Sequence, residues 1–209
     1  MNSFEKHIEN YLKSLRPCQI TDAMAYALEG GKRFRPRIIF AIAEGMGIPF
    51  EKTYDAAMAL ELIQTYSLIH DDLPAMDNDD MRRGKPSLHK AFREDIAILT
   101  GDQLLTDSFR VVSASRDYDD SCKVNIIRAL SSYAGMEGMI YGQLLDVTSD
   151  GKSIDKESLF DIQDNKTGGL FKIACLIPMY IKGEENEEYY IRLGSMIGQI
   201  FQNQDDLLI

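Results

Sequence analysis

Apolar residues recur along this chain at spacings of three and four, and alternation of the strand type is scarce. The pattern predicts a protein that is helical nearly throughout. Thr53 is placed to cap a helix through AAMALELIQTYSLIHDD, and Pro74 should end or kink that helix because it lacks an N–H. Pro86-Ser87 should open a helix through LHKAFREDIAIL, and a separate one is expected through QLLTDSFRVVSAS. After the polar turn RDYDDS, VNIIRALSSYAGMEGMIYGQLLDV reads as one long helix. Ser153 or Asp155 should cap another through KESLFDIQDNKTGGLFKIACLI, and a last helix should run from near Glu185 to the end. Gly138 and Gly142 form a GxxxG pair, which implies close helix packing. No repeat, low-complexity tract or Gly/Ser linker divides the chain, so one all-α domain is expected.

Composition narrows the function. The 209 residues carry 23 basic and 33 acidic side chains, a net charge of -10. That length can bury a core without a disulfide or a structural metal. The acidic balance argues against nucleic acid or an anionic membrane surface as partner. No apolar run approaches the ~18 residues of a membrane span, and no signal peptide opens the chain. Cys18, Cys122 and Cys175 are odd in number and form no CxxC pair, which points to a reducing compartment, the cytoplasm.

Three segments carry chemistry. The first, HDDLPAMDNDDMRRGKP at 70–86, sets Asp71, Asp72, Asp77, Asp79 and Asp80 directly before Arg82, Arg83 and Lys85. It follows the apolar LELIQTYSLI, so its first carboxylates should emerge from a buried helix and need a cation. Beyond Pro74 the chain can turn so that Asp77 swings back toward Asp71. Carboxylates beside arginines describe a Mg2+-bridged phosphate or diphosphate site. A calcium loop starting at Asp77 fails, because Arg82 stands at the required Gly and Leu88 at the required Glu. The second segment, GGKRFRP at 30–36, combines two glycines with three cations, and it is not a Walker A loop. The third, FQNQDDLLI, sets Asp205 and Asp206 after the apolar MIGQIF; facing the first aspartates across a bundle, they would complete a multi-metal cup. Gln143 and Asp146 lie one helical turn apart and fit either a supporting role at a metal or arginine or a satisfied buried pair. His70 fits a partly buried structural role, with orientation of an aspartate as its alternative.

SLIHDDLPAMDNDDMRRGKPS resembles the first aspartate-rich motif of the trans-isoprenyl diphosphate synthases, in the form of bacterial farnesyl diphosphate synthases, and GGKRFRP, NKTGGL and FQNQDD follow that family's order. The resemblance spans nearly the whole chain. It implies an isoprenoid synthase helical bundle around a central cavity, forming a homodimer. It implies condensation of isopentenyl diphosphate with dimethylallyl or geranyl diphosphate to farnesyl diphosphate, by Mg2+-assisted ionisation with three ions and Mn2+ as an alternative ion. By resemblance, Asp71, Asp72, Asp77 and Asp205 hold the metal. Arg82 and Lys166 contact the allylic diphosphate, and Lys32, Arg35 and Arg83 contact isopentenyl diphosphate. Thr167 and Gln202 face the developing cation. Gln64 stands where many relatives carry a histidine for isopentenyl diphosphate, and donates without charge.

Tyr66 lies five residues before Asp71, about 7.5 Å along a helix, and with Ser67 should set product length; in similar enzymes an aromatic here accompanies a farnesyl product. GGKRFRP argues against a terpene cyclase, which needs no isopentenyl diphosphate site. A diphosphate-binding subunit without turnover is the rival reading. Ile209 stands where the family carries a third aspartate, and relatives are expected to continue with further helices. On this view residues 1–209 are a single polyprenyl synthase domain with its C-terminal helices missing.

Overall fold

The computed structural model describes residues 1–149 and 151–206, excluding the side chains of Asp205 and Asp206. Helices α1 (Asn2–Ser14), α2 (Gln19–Leu28) and α3 (Phe34–Gly45) precede a single 3-10 turn at Phe50–Thr53 and the long α4 (Tyr54–Asp71). A hairpin of two-residue strands, β1 (Met81–Arg82) and β2 (Lys85–Pro86), leads to the short α5 (Leu88–Ala91). Then follow α6 (Glu94–Ala114), α7 (Asp120–Ala134), α8 (Met139–Ser149), α9 (Lys156–Lys166), α10 (Gly168–Lys182) and α11 (Glu187–Asp206).

Two helices, α4 and α10, run through the centre of the core, to which α1, α2, α3, α6 and α7 also contribute. Every residue of α10 from Gly168 to Tyr180 is buried, as befits a helix apolar on all sides with neighbours all around it. It packs along α11 and against α7, α3 and α4, while α4 lies along α6. Ala56 to Ile63 of α4 are likewise buried without a break, Glu61 included. The amphipathic helices around them bury single stripes, such as Phe4 and Ile8 of α1.

The all-α expectation holds, but several boundaries move. Thr53 precedes α4, yet its hydroxyl donates backward to the Phe50 carbonyl (2.7 Å) instead of capping. The helices expected at 88–99 and 103–115 divide elsewhere: the chain breaks at Phe92-Arg93 and then runs unbroken through Gly101 as α6. The long helix expected at 124–147 splits into α7 and α8 around Gly135–Gly138. Close packing explains the split. A Cβ on Gly138 would lie 2.0 Å from the Tyr133 carbonyl oxygen, and one on Gly169 would lie 2.6 Å from the same oxygen. The segment expected at 156–177 likewise bends at Thr167, which ends α9 and starts α10. Asp155, not Ser153, caps α9, accepting from the Ser158 N–H at 2.8 Å. The hairpin is an element that helical periodicity did not signal. Its turn, Arg83-Gly84, has φ of 54° and 79°, the paired left-handed geometry of a tight two-residue hairpin.

Candidate active site

Helix α4 ends where its carboxylates begin. The turn after Pro74 brings the Asp77 N–H to the Asp71 carbonyl at 2.9 Å, while the Leu73 carbonyl accepts from Met76 and Asn78. Asp77 thus returns beside Asp71, as the proline implied. Adjacent aspartates nevertheless face different surroundings, because successive helical residues are about 100° apart. Asp72 is 2% exposed, and Arg82 grips it from the hairpin through Nε at 3.0 and 3.2 Å and through a terminal nitrogen. Asp71 turns into a cavity, and among the described residues no side chain hydrogen-bonds or pairs with its carboxylate. Burial is the main cause that lifts its pKa to about 6, with Asp77 adding to the rise and Lys166 opposing it.

That cavity has a volume of about 920 Å³ and is open to solvent on one side. Arg35, Gln64, Asp71, Lys166 and Thr167 belong to its polar lining, with His70, Asp102 and Gln143 beside them. The rest is largely hydrocarbon: Tyr66, Leu73 and Met76 on the α4 side, Ile98 and Leu105 from α6, and Met139, Ile140, Leu144 and Val147 from α8. Ser67 shares the lining with Tyr66. The Tyr66 hydroxyl is buried without a partner, and burial, then the nearby Asp71, push its pKa up to about 12. The Gln64 side-chain oxygen and the Gln143 side-chain nitrogen are also buried without partners.

The two basic segments converge. Gly31 lies so close to the Arg33 and Arg83 side chains that a Cβ there would sit 2.4 Å from an Arg33 nitrogen and 3.2 Å from an Arg83 nitrogen. Within GGKRFRP the cations have separate tasks. Arg33 is 4% exposed, adopts φ of 50°, and is locked by Glu5 (2.9 and 3.0 Å), by Glu61 (3.0 Å) and by the Leu28 carbonyl (2.6 Å). Arg35 instead stacks over the Phe171 ring at 4.7 Å, and its Nε has no partner. Burial lowers the Arg35 pKa to about 10, Glu61 opposing and Arg83 assisting. Arg83, though exposed as a residue, is lowered too, first by the partial desolvation of its guanidinium. Lys32 and Arg83 are exposed.

Across the cavity, Lys166 pairs with Asp146 of α8, and the Thr167 hydroxyl donates to the Gln202 side-chain oxygen at 3.1 Å. Rings of Phe34, Phe171 and Phe201, 5.1–5.9 Å apart, fasten α11 to α10 and to the start of α3.

A polyprenyl synthetase family model matches residues 17–208. The chain belongs to the polyprenyl synthetase family. It is 40% identical over 206 residues to a farnesyl diphosphate synthase of Micrococcus luteus, covering 96% of this chain and 70% of that protein. It is 37% identical to a chloroplastic geranylgeranyl pyrophosphate synthase of Catharanthus roseus, covering 99% of this chain and 59% of that protein. Among solved structures, a geranyltransferase of Legionella pneumophila superposes with a TM-score of 0.91 at 38% identity, covering 99% of this chain and 76% of that one. An FPP/GFPP synthase of Zymomonas mobilis gives 0.92 at 33% identity, covering 100% and 79%.

For a polyprenyl synthetase, the placement of the expected residues is informative. Asp71, Arg35, Gln64, Tyr66, Ser67, Lys166 and Thr167 line one cavity. Asp72 does not. Also expected as a metal ligand, it lies on the hairpin side, where Arg82 pairs with it and, at 3.5 Å, with Asp79. Asp205 has its side chain outside the described residues. Gln143 and Asp146 do not pair: Asp146 holds Lys166, and the Gln143 amide nitrogen is orphaned. His70 donates through Nε2 to the Ile98 carbonyl at 3.2 Å, as a structural histidine would. Sequence reasoning missed the Arg33–Glu61–Glu5 lock. Its one signal was Glu61, a lone charge inside an apolar helical run.

Among the described residues no three His, Cys, Asp or Glu side chains gather into a complete metal site. The half-buried Asp71 carboxylate beside Asp77, without an ion-pair partner among the described residues, nevertheless fits a hard cation, because burial and neighbouring carboxylates outweigh the help of Lys166 and Arg82.

Proposed function

We propose that the chain condenses isopentenyl diphosphate with dimethylallyl or geranyl diphosphate, releasing diphosphate and yielding farnesyl diphosphate. The observation that carries this reading is the single cavity that joins Asp71, Lys166 and Arg35 to a hydrocarbon pocket containing Tyr66. Asp71 and Asp77, with Asp205, would hold Mg2+, which when bound supplies Lewis-acid stabilisation of the leaving diphosphate.

The remaining chemistry is assigned to the chain's own side chains. Lys166 exchanges Asp146 for the allylic diphosphate and places a positive charge where the leaving group's negative charge grows. Arg82, oriented by Asp72, presents its outer edge to the same group. Lys32, Arg35 and Arg83 bind isopentenyl diphosphate, whose negative charge would offset the burial that lowers the Arg35 pKa. Gln64 adds a neutral contact there, which predicts weaker binding than a histidine gives. The allylic C–O bond breaks with its electron pair on diphosphate, and the alkene of isopentenyl diphosphate attacks the allylic cation to form the new C–C bond. A proton then leaves to the departing diphosphate. The oxygens of Thr167 and Gln202 face the cation, and the apolar walls exclude water that would quench it.

No helix among the described residues is long and apolar enough to cross a membrane. We assign the chain to the cytoplasm as a homodimer; exposed Leu99 on α6 and Val124 on α7 offer apolar surface for a second copy. The test is incubation with isopentenyl and geranyl diphosphates and Mg2+, with the prenyl products resolved by mass spectrometry. Farnesyl diphosphate as main product supports the reading. Ligand binding without turnover supports a diphosphate-binding subunit instead.

A further inference from the structure

Helix α6 carries a glycine, Gly101, at its crossing with α4. A Cβ built there would lie 2.1 Å from Nε2 of His70, 2.6 Å from its Cδ2 and 2.8 Å from its Cε1. The imidazole therefore occupies the volume that any other residue at 101 would fill. It is also pinned there. The Ile98 carbonyl oxygen can only accept, so His70 donates from Nε2 across 3.2 Å, which fixes the side of the ring that carries the proton. His70 then touches two functional neighbours. It precedes Asp71 in α4, and it stands one helical turn beyond Tyr66, whose ring meets it edge-on with centroids 5.8 Å apart. Among the described residues the Tyr66 hydroxyl has no hydrogen-bond partner, so ring packing is what holds it. His70, Tyr66, Ile98 and Asp102 all line the cavity, so the seat lies in its wall.

We propose that His70, seated on Gly101, is a positioning residue that fixes Tyr66 and the α4–α6 wall, and thereby limits the length of prenyl chain the cavity accepts. This rests on the prenyl-transfer reading and deepens it. Two opposite perturbations follow from the geometry. His70→Ala leaves a void beside Tyr66, into which the ring relaxes, lengthening the pocket. Gly101→Ala expels the imidazole from the seam, and the cavity is the open space beside it, so the pocket shortens. In the double variant the new methyl occupies the vacated site, and packing returns toward the parent.

The experiment compares the parent, both single variants and the double variant in two readouts. The first is product length from isopentenyl and geranyl diphosphates. The second, independent of turnover, is the calorimetric ratio of dissociation constants for farnesyl and geranyl thiodiphosphates with Mg2+. Expected is a geranylgeranyl share raised several-fold in His70→Ala, with farnesyl analogue binding improved relative to geranyl. Gly101→Ala should shift both readouts the other way, and the double variant should lie nearer the parent than either single. Ratios unchanged in both singles overturn the proposal, as does a double variant showing the two defects added. A parent that binds neither analogue refutes the prenyl-transfer reading itself, whatever the variants do.

Discussion

The carboxylate of Asp71 is held in the unliganded protein at a cost. Its pKa of about 6 lies above the ordinary 3.8, so folding favours its protonated form. The stabilisation from that raised pKa is fully present below about pH 4 and is lost as pH rises through 6. At pH 7.5 the ionised group therefore destabilises the metal-free protein, by about 1–2 kcal/mol once partial solvent screening is allowed for. Asp71→Asn should raise Tm in EDTA by roughly 2–8 °C at that pH, with the gap closing toward pH 4. Scanning calorimetry across the pH range checks it; a lower Tm at pH 7.5 contradicts it. The sequence showed that a cation was needed at this segment, but not which aspartate would meet it. Asp71 and Asp72 are identical in type and adjacent, and only the hairpin's Arg82 separates them. The same holds in GGKRFRP, where Arg33 became an internal tie and Arg35 a cavity cation.

At the scale of elements, the helical content was written in the apolar periodicity, while the breaks were written in close contacts that periodicity does not contain. Gly101 sits inside α6 because His70 fills its missing Cβ, so a potential breaker became an interior residue. Gly135–Gly138 became a turn because α7 and α8 pass tightly over the start of α10. The GxxxG expectation was met in part by Gly142, where a Cβ would lie 2.1 Å from the Lys166 backbone nitrogen. This contact sets the spacing of α8 and α9, and with it the position of Lys166 and Thr167. Gly142→Ala should cost about 1–3 kcal/mol through overpacking and lower Tm by several degrees. It should also weaken allylic diphosphate binding, measured by calorimetry, although residue 142 touches no ligand. Unchanged Tm and affinity would remove Gly142 from this role.

For the whole molecule, a net charge of -10 argues against nucleic acid or an anionic membrane as partner, but it does not describe the local surroundings of a site. Arg35 and Arg83 come close enough from segments far apart in sequence to act on each other, while Lys166 shares the cavity lining with Asp71 and acts on its carboxylate. Global charge averages over a surface; a substrate meets a local field. The chain spans about 70% of the length of the farnesyl diphosphate synthase of Micrococcus luteus, and the walls it supplies already bring Arg35 and Gln64 into one cavity with Asp71, Lys166 and Thr167. The central claim is that Asp71 and its neighbours bind an allylic diphosphate through Mg2+. Calorimetric titration of the protein with geranyl thiodiphosphate, in Mg2+ and in EDTA, tests this most directly. The account predicts binding at least about tenfold weaker in EDTA, ~1.4 kcal/mol, and a comparable loss for Asp71→Asn in Mg2+. Equal affinity with and without the metal, or an Asp71→Asn variant that binds as the parent does in Mg2+, would contradict it.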